Sequence, residues 1–303
     1  MSLIVNLNKP SGITSQEAIV KVRDTLGAKK AGHSGTLDPM ASGVLIVLLD
    51  KATRLSEIFL NFDKEYLATM KLGEATDTQD VEGKIISKVE SFEINRGDIE
   101  AVLKSFVGSI SQIPPMYSAI KHEGMPLYKL ARKGIEIHRS PREVFIHELA
   151  VEGLNMPLVT FRVRCSKGTY IRTLCNDIGI ALGVGAHLFS LIRTKVGPFT
   201  IKDAVGLDEL LNRDRGIYSI DDALSWMKEI MIRDEAIVKV KNGAPLKAAD
   251  VEYFSDGIKI GDRVRIKAGD NTLLAIGIIQ EDMQYPIRTD KVIMDYEKDC
   301  LRI

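Results

Sequence analysis

One carboxylate of this chain stands in surroundings suited to chemistry. Asp38 lies in the run Gly32-His33-Ser34-Gly35-Thr36-Leu37-Asp38-Pro39, directly ahead of Gly43 and the apolar stretch Val44 to Leu49. Gly32 and Gly35 permit backbone turns that a Cβ resists. Pro39 fixes φ beside the acid and removes an amide donor. The apolar stretch reads as a strand buried on both faces. An acid on a stiff loop against a rigid core is held as a catalytic group must be held. Such a carboxylate can serve as a nucleophile, a base, or a stabiliser of positive charge. A turn aspartate that only satisfies nearby amides fits the same spacing equally well.

Other chemistries leave no comparable trace. The five histidines are scattered, with no HExxH and no Cys/His cluster, so no metal site is expected. Cys165, Cys175 and Cys300 show no CxxC spacing and read as free thiols of a reducing cytoplasm. No apolar run approaches the ~20 residues of a membrane helix. The N-terminal segment lacks the basic and apolar stretches of a signal peptide. The 303 residues, 45% hydrophobic and 27% charged, suffice for a normal core in one large domain or two.

A net charge of zero argues mildly against nucleic acid, but the charge is unevenly spread. Between Ala119 and Glu143 stand Lys121, Lys129, Arg132, Lys133, Arg139 and Arg142 against Glu123, Glu136 and Glu143, a surplus of three. With His122, Tyr128 and His138, this makes a basic, partly aromatic stretch able to track phosphates. An ordinary solvated helix and loop has the same composition.

Further strings accompany the Asp38 loop in a fixed order. They are Asn8-Lys9-Pro10-Ser11-Gly12 with Ser15, Lys64-Glu65-Tyr66-Leu67-Ala68, Gly73-Glu74-Ala75-Thr76-Asp77-Thr78-Gln79-Asp80, Gln112 to Ala119, and Ser166 to Arg172. Together with the loop they resemble the TruB family of tRNA pseudouridine synthases from Asn8 to Arg172. That resemblance implies an isomerase that rejoins the uracil of uridine to its sugar through C5, with no cofactor and no metal.

It implies Asp38 as the catalytic acid and Arg172 as the arginine that pairs with it. It implies Tyr66 as the tyrosine stacked on the uracil. His33 would engage the RNA where the target base has left its stack, and Tyr170 and Leu191 would pack around the base. Each of these side chains taken alone also fits a structural role. Lys9 matches the family as well, as a support for the loop or as a phosphate contact.

The elements around these residues follow from periodicity. Ser15 is expected to cap a helix bearing Ala18, Ile19, Val22 and Leu26 and ending at Gly27. A short helix is expected at about 52–60, and another after Asn95. Tyr66, Ala68, Met70 and Leu72 alternate with Leu67, Thr69 and Lys71, as do Val159 to Cys165 with their polar neighbours. A helix from about Tyr170 to Leu182 and a strand from His187 to Val196 follow. The mixture without a βαβ repeat predicts an α+β fold rather than a doubly wound one, and the family resemblance implies that its sheet is mixed.

A boundary is expected near Ile232. This gives a catalytic domain at 1–232 and a tail at 233–303 containing a hairpin from Gly261 to Ile279. The strings Asn242 to Pro245, Gly261-Asp262 and Leu274 to Gly277 resemble the PUA module, a small RNA-binding β-barrel. By the same resemblance, residues 119–143 form a thumb-like insertion, and the partner is the T-arm of tRNA. A cytoplasmic monomer is expected. Two other functions remain open: a guide-RNA-dependent subunit acting on ribosomal RNA, and an RNA-binding or RNA-folding protein of the same fold. The stretch from Gln112 to Arg142, similar to the thumb of the stand-alone enzymes, favours the first reading.

Overall fold

The computed structural model of the chain describes residues 2–212 and 215–294. Cys300 lies outside them. Along the chain come β1 (Leu3–Lys9), α1 (Ser15–Thr25), β2 (Ala31–His33), β3 (Ser42–Leu49), α2 (Ser56–Leu60) and β4 (Lys64–Leu72). A hairpin of β5 (Glu74–Thr76) and β6 (Ile85–Lys88) follows, then α3 (Arg96–Ser105) and β7 (Gly108–Gln112). The next segment holds only β8 (Lys121–His122), β9 (Met125–Pro126) and the five-residue α4 (Leu127–Ala131). The long strands β10 (Arg142–Asn155) and β11 (Leu158–Cys165), helix α5 (Ile171–Ala181), strands β12 (Ala186–Val196), β13 (Phe199–Thr200) and β14 (Ile217–Ser219), and α6 (Ile220–Ala223) complete the larger unit.

Its sheet runs β14-β1-β3-β12-β4-β11-β10-β7, with β2 added to β3 and β13 to β12. β12 and β3 pair in parallel and the remaining pairs are antiparallel, so the sheet is mixed and the fold is α+β as expected. β3 is the central wall because it has no polar face. Leu45, Val47 and Leu49 enter one core with Val5 and Leu7, while Val44, Ile46 and Leu48 enter a second with Ile4 and Phe59. Each such side chain contributes roughly 1.5–3 kcal/mol by leaving water.

α1 begins one residue before the position expected from sequence. Thr14, with extended backbone, caps the helix and forms a reciprocal capping box with Glu17. Ser15 is thereby free for another partner. The helix expected at about 52–60 divides into a 3-10 turn, Asp50–Leu55, and α2. Asn95 caps α3 as expected.

The rest of the chain builds a second sheet from β15 (Glu229–Ile232), β16 (Val251–Phe254), β17 (Arg263–Lys267), β18 (Leu273–Ile279) and β19 (Ile287–Val292), in the order β16-β15-β17-β18-β19. The expected hairpin is β17–β18. The path is open: no pairing among the described residues closes it into the barrel expected from sequence. Its first strand, β15, lies just before the expected boundary. Ile276 and Ile293 of this unit pack into the second core, and the indole of Trp226 meets Phe62 edge-on at 5.1 Å. Arg265 and Lys267 each reach Asp221 at 2.8 Å and also pair with Glu229, an alternating charge cluster that ties the two sheets together.

Candidate active site

The loop carrying Asp38 is held from behind by the first motif of the chain. The Lys9 ammonium, fully buried, donates to the carbonyls of Pro10 and Ile13 at 2.8 Å and of Pro39 at 3.4 Å. Ser11 donates to the Met40 carbonyl, and the Gly12 amide to that of Pro39. The Ser15 hydroxyl, released from capping, both donates to the Leu37 carbonyl and accepts from its amide. Three donors on three carbonyls make Lys9 a bracket for the loop. Burial drives its pKa down to about 8, with Asp38 opposing that shift. On the far side Gly43, at φ +101°, lies where a Cβ would come within 2.3 Å of the Arg193 carbonyl, so only glycine admits this approach of β3 and β12.

Asp38 is the one carboxylate at the tip of this loop, and its side chain is 31% exposed. Arg172, whose side chain is 6% exposed, grips it with two nitrogens: Nε at 2.9 Å from Oδ2 and Nη2 at 3.2 Å from Oδ1. The fork is itself anchored. Nη1 reaches Asp80 Oδ2 at 3.2 Å and the Thr78 carbonyl, and Nη2 reaches the Tyr117 carbonyl at 2.7 Å. Asp80 is fixed in turn by the Thr78 hydroxyl at 2.6 Å and the Glu82 amide. A planar guanidinium between two carboxylates leaves neither acid free to rotate. Withdrawal from water pushes the Asp38 carboxyl above the usual carboxylate range, Arg172 opposes this, and Asp80 adds to it.

The other expected residues differ in burial. Tyr66, buried on β4, shares the main core with Leu191 of β12. Burial raises the pKa of its phenol and Arg193 lowers it. Tyr170 sits at the N-terminus of α5, where its amide donates to Gln112 Oε1 at 3.0 Å and its carbonyl accepts from Gln112 Nε2. His33 ends β2, half-buried, with an unpartnered Nδ1; burial and then Arg193 favour its neutral form. The structure thus brings Asp38 and Arg172 into contact. It places Tyr66, Leu191, Tyr170 and His33 on the elements beside them, and Lys9 beneath.

Two residues escape a reading of the sequence. Asp80 closes the motif string that begins at Gly73, and a second acid inside such a string is its signal. Arg193 is an arginine at a buried register position of β12, with 2% exposure. Among the described residues no group of His, Cys, Asp and Glu forms a metal-binding cluster.

The family model described as TruB family pseudouridylate synthase (N terminal domain) matches residues 23–171, and that of the tRNA pseudouridylate synthase B C-terminal domain matches 172–224. The chain is 43% identical to tRNA pseudouridine synthase B of Geotalea uraniireducens over 91% of each sequence. It is 41% identical to that of Clostridium kluyveri over 94% of this chain and 98% of the relative. Among solved structures, an archaeal box H/ACA sRNP Nop10-Cbf5 complex superposes with a TM-score of 0.74 at 30% identity, covering 97% of this chain and 87% of that one.

Proposed function

The chain belongs to the TruB family of pseudouridylate synthases, and we propose that it isomerises uridine to pseudouridine in tRNA, at position 55 of the T-loop. The observation that carries this reading is the Asp38–Arg172 pair: a carboxylate gripped at both oxygens by a buried guanidinium and still partly exposed. The reaction breaks the N1–C1′ bond, forms C5–C1′, and exchanges the C5 proton for one on N1 within the same nucleotide, so atoms and electrons balance without a cofactor.

An ionised Asp38 beside the sugar attacks C1′, removes a proton from the sugar, or stabilises charge there. Arg172 keeps the acid oriented and favours its charged form. The target base must leave its stack to reach this depth. Tyr66 then lies against the uracil, Leu191 and Tyr170 enclose it, and His33 stands at the mouth of the site. The PUA-like tail and the segment 119–143 bind the rest of the T-arm.

The guide-RNA-dependent reading draws on the Nop10-Cbf5 likeness. It ranks second because the relatives at 41–43% identity carry the name of the tRNA enzyme. Incubating the purified protein with unmodified tRNA alone, then mapping pseudouridine, separates the two. A single product at position 55 is expected. Activity only with a guide RNA and partner proteins would overturn the proposal, and RNA annealing without any product would favour the folding role.

A further inference from the structure

We propose that Arg193 is a positioning residue of the isomerisation: its buried guanidinium holds the Tyr66 phenolic oxygen as an acceptor and turns the O–H hydrogen towards the base beside Asp38. This rests on the isomerase reading above.

The placement of Arg193 is unusual. Buried arginines are ordinarily paired with acids. Arg193 is 2% exposed, yet among the described residues it makes no ion pair. Its Nε donates to the Val44 carbonyl at 2.7 Å and its Nη2 to the Gly35 carbonyl at 3.1 Å, so one plane is fixed to β3 and to the Asp38 loop together. Nη1, beside Gly35, has neither carbonyl. Across the β4–β12 ladder the residue directly opposite Arg193 is Tyr66, and the guanidinium bears on the phenol.

The chemistry of the two groups sets the direction of the proton. Arginine carries donors only, whereas a phenol can donate or accept. Facing Arg193, the Tyr66 oxygen can only accept. The hydroxyl hydrogen then points away from β12. One side chain thereby couples the loop of Asp38 to the proton of Tyr66.

A double-variant cycle tests this. Single-turnover rates at saturating tRNA, tRNA dissociation constants and thermal midpoints are measured for wild type, Tyr66→Phe, Arg193→Lys, Arg193→Gln and the two combinations with Tyr66→Phe. In the wild-type background Arg193→Gln should slow isomerisation by about 10- to 100-fold with little change in affinity, and Arg193→Lys, which keeps a cationic donor, should recover part of the rate. In the Tyr66→Phe background, which has no hydroxyl to orient, either change should cost less than about two-fold.

Additive losses, or full activity of Tyr66→Phe, would overturn the proposal. Should Arg193→Gln fail to fold, Arg193→Lys with and without Tyr66→Phe gives the same decision. An inactive wild type would sink the isomerase reading instead. The Tyr66 ring carbon in labelled protein, assigned by its loss in Tyr66→Phe, then decides on Arg193. Its chemical shift should move in Arg193→Lys, and an unmoved shift would refute the contact.

Discussion

The loop that presents Asp38 and the segment from Ala119 to Glu143 both flank the proposed RNA site, but they are built on opposite principles. The first is bracketed by Lys9, Ser11, Ser15 and Arg193, and the acid itself is clamped by Arg172. The second has one buried side chain, Leu127, and, before β10 begins at Arg142, no regular element longer than five residues. Chemistry requires a geometry fixed before the substrate arrives. A surface that follows a phosphate backbone requires charge and freedom to adapt. The comparison separates the residues that set rate from those that set affinity.

The largest effect expected from this contrast is that of Asp38→Asn. The amide keeps size but not charge, and single-turnover isomerisation should fall at least ~10³-fold while tRNA affinity stays within a few-fold. Turnover that persists after mass spectrometry has excluded deamidation back to Asp would break the contrast at its catalytic end.

Arg172→Gln sharpens it through pH. Burial already lifts the Asp38 carboxyl above its usual range, with Arg172 opposing. If the ionised acid is the active form, the rate rises with pH through a pKa higher than that of a free carboxylate. Removing the guanidinium takes away the opposing influence, so the acid limb of the rate profile should move to higher pH as the maximum falls. An acid limb that stays in place would mean that Asp38 does not govern it.

The smallest effect on rate belongs to the exposed segment. Charge-neutral replacement of Lys129, Arg132 and Lys133 should weaken tRNA binding and flatten its salt dependence, by roughly 0.7–0.9 in log–log slope for each phosphate no longer neutralised. The rate within the bound complex should barely change. Unchanged affinity and slope in a folded triple variant would make this segment an ordinary solvated surface.

The same contrast decides what the sequence discloses. Asp38 and Arg172 are legible because both stand in strings that resemble the family motifs, Asp38 on a glycine- and proline-bearing loop and Arg172 at the start of α5. Tyr66 is legible as an alternating strand residue, whereas Leu191 is picked out only by the family resemblance. Asp80 is flagged only by its place in a motif string, because its contact is with a guanidinium 92 positions away and no local pattern names that partner. Arg193 stays hidden because a strand reading sorts residues by face and does not ask whether a charge on the inner face has a partner. Ser15 reads as a cap because Thr14 and Ser15 offer the same hydroxyl one residue apart. The barrel expected of the tail comes down to which strand edges pair across the sheet, and side-chain alternation within each strand does not specify that.

β3 carries a consequence for how the molecule melts. Its alternate residues belong to two cores, and the second core contains Ile276 of the smaller sheet and Ile293, which follows its last strand. A strand that is simultaneously an inner wall of both compartments cannot be lost from one and kept in the other. The two sheets should therefore unfold in one cooperative transition, with equal calorimetric and van't Hoff enthalpies. Ile46→Ala, although it lies far in sequence from the smaller sheet, should lower that single midpoint without splitting it, at a cost of about 2–5 kcal/mol in stability. Two resolved heat-absorption peaks would show that the smaller sheet is thermodynamically independent.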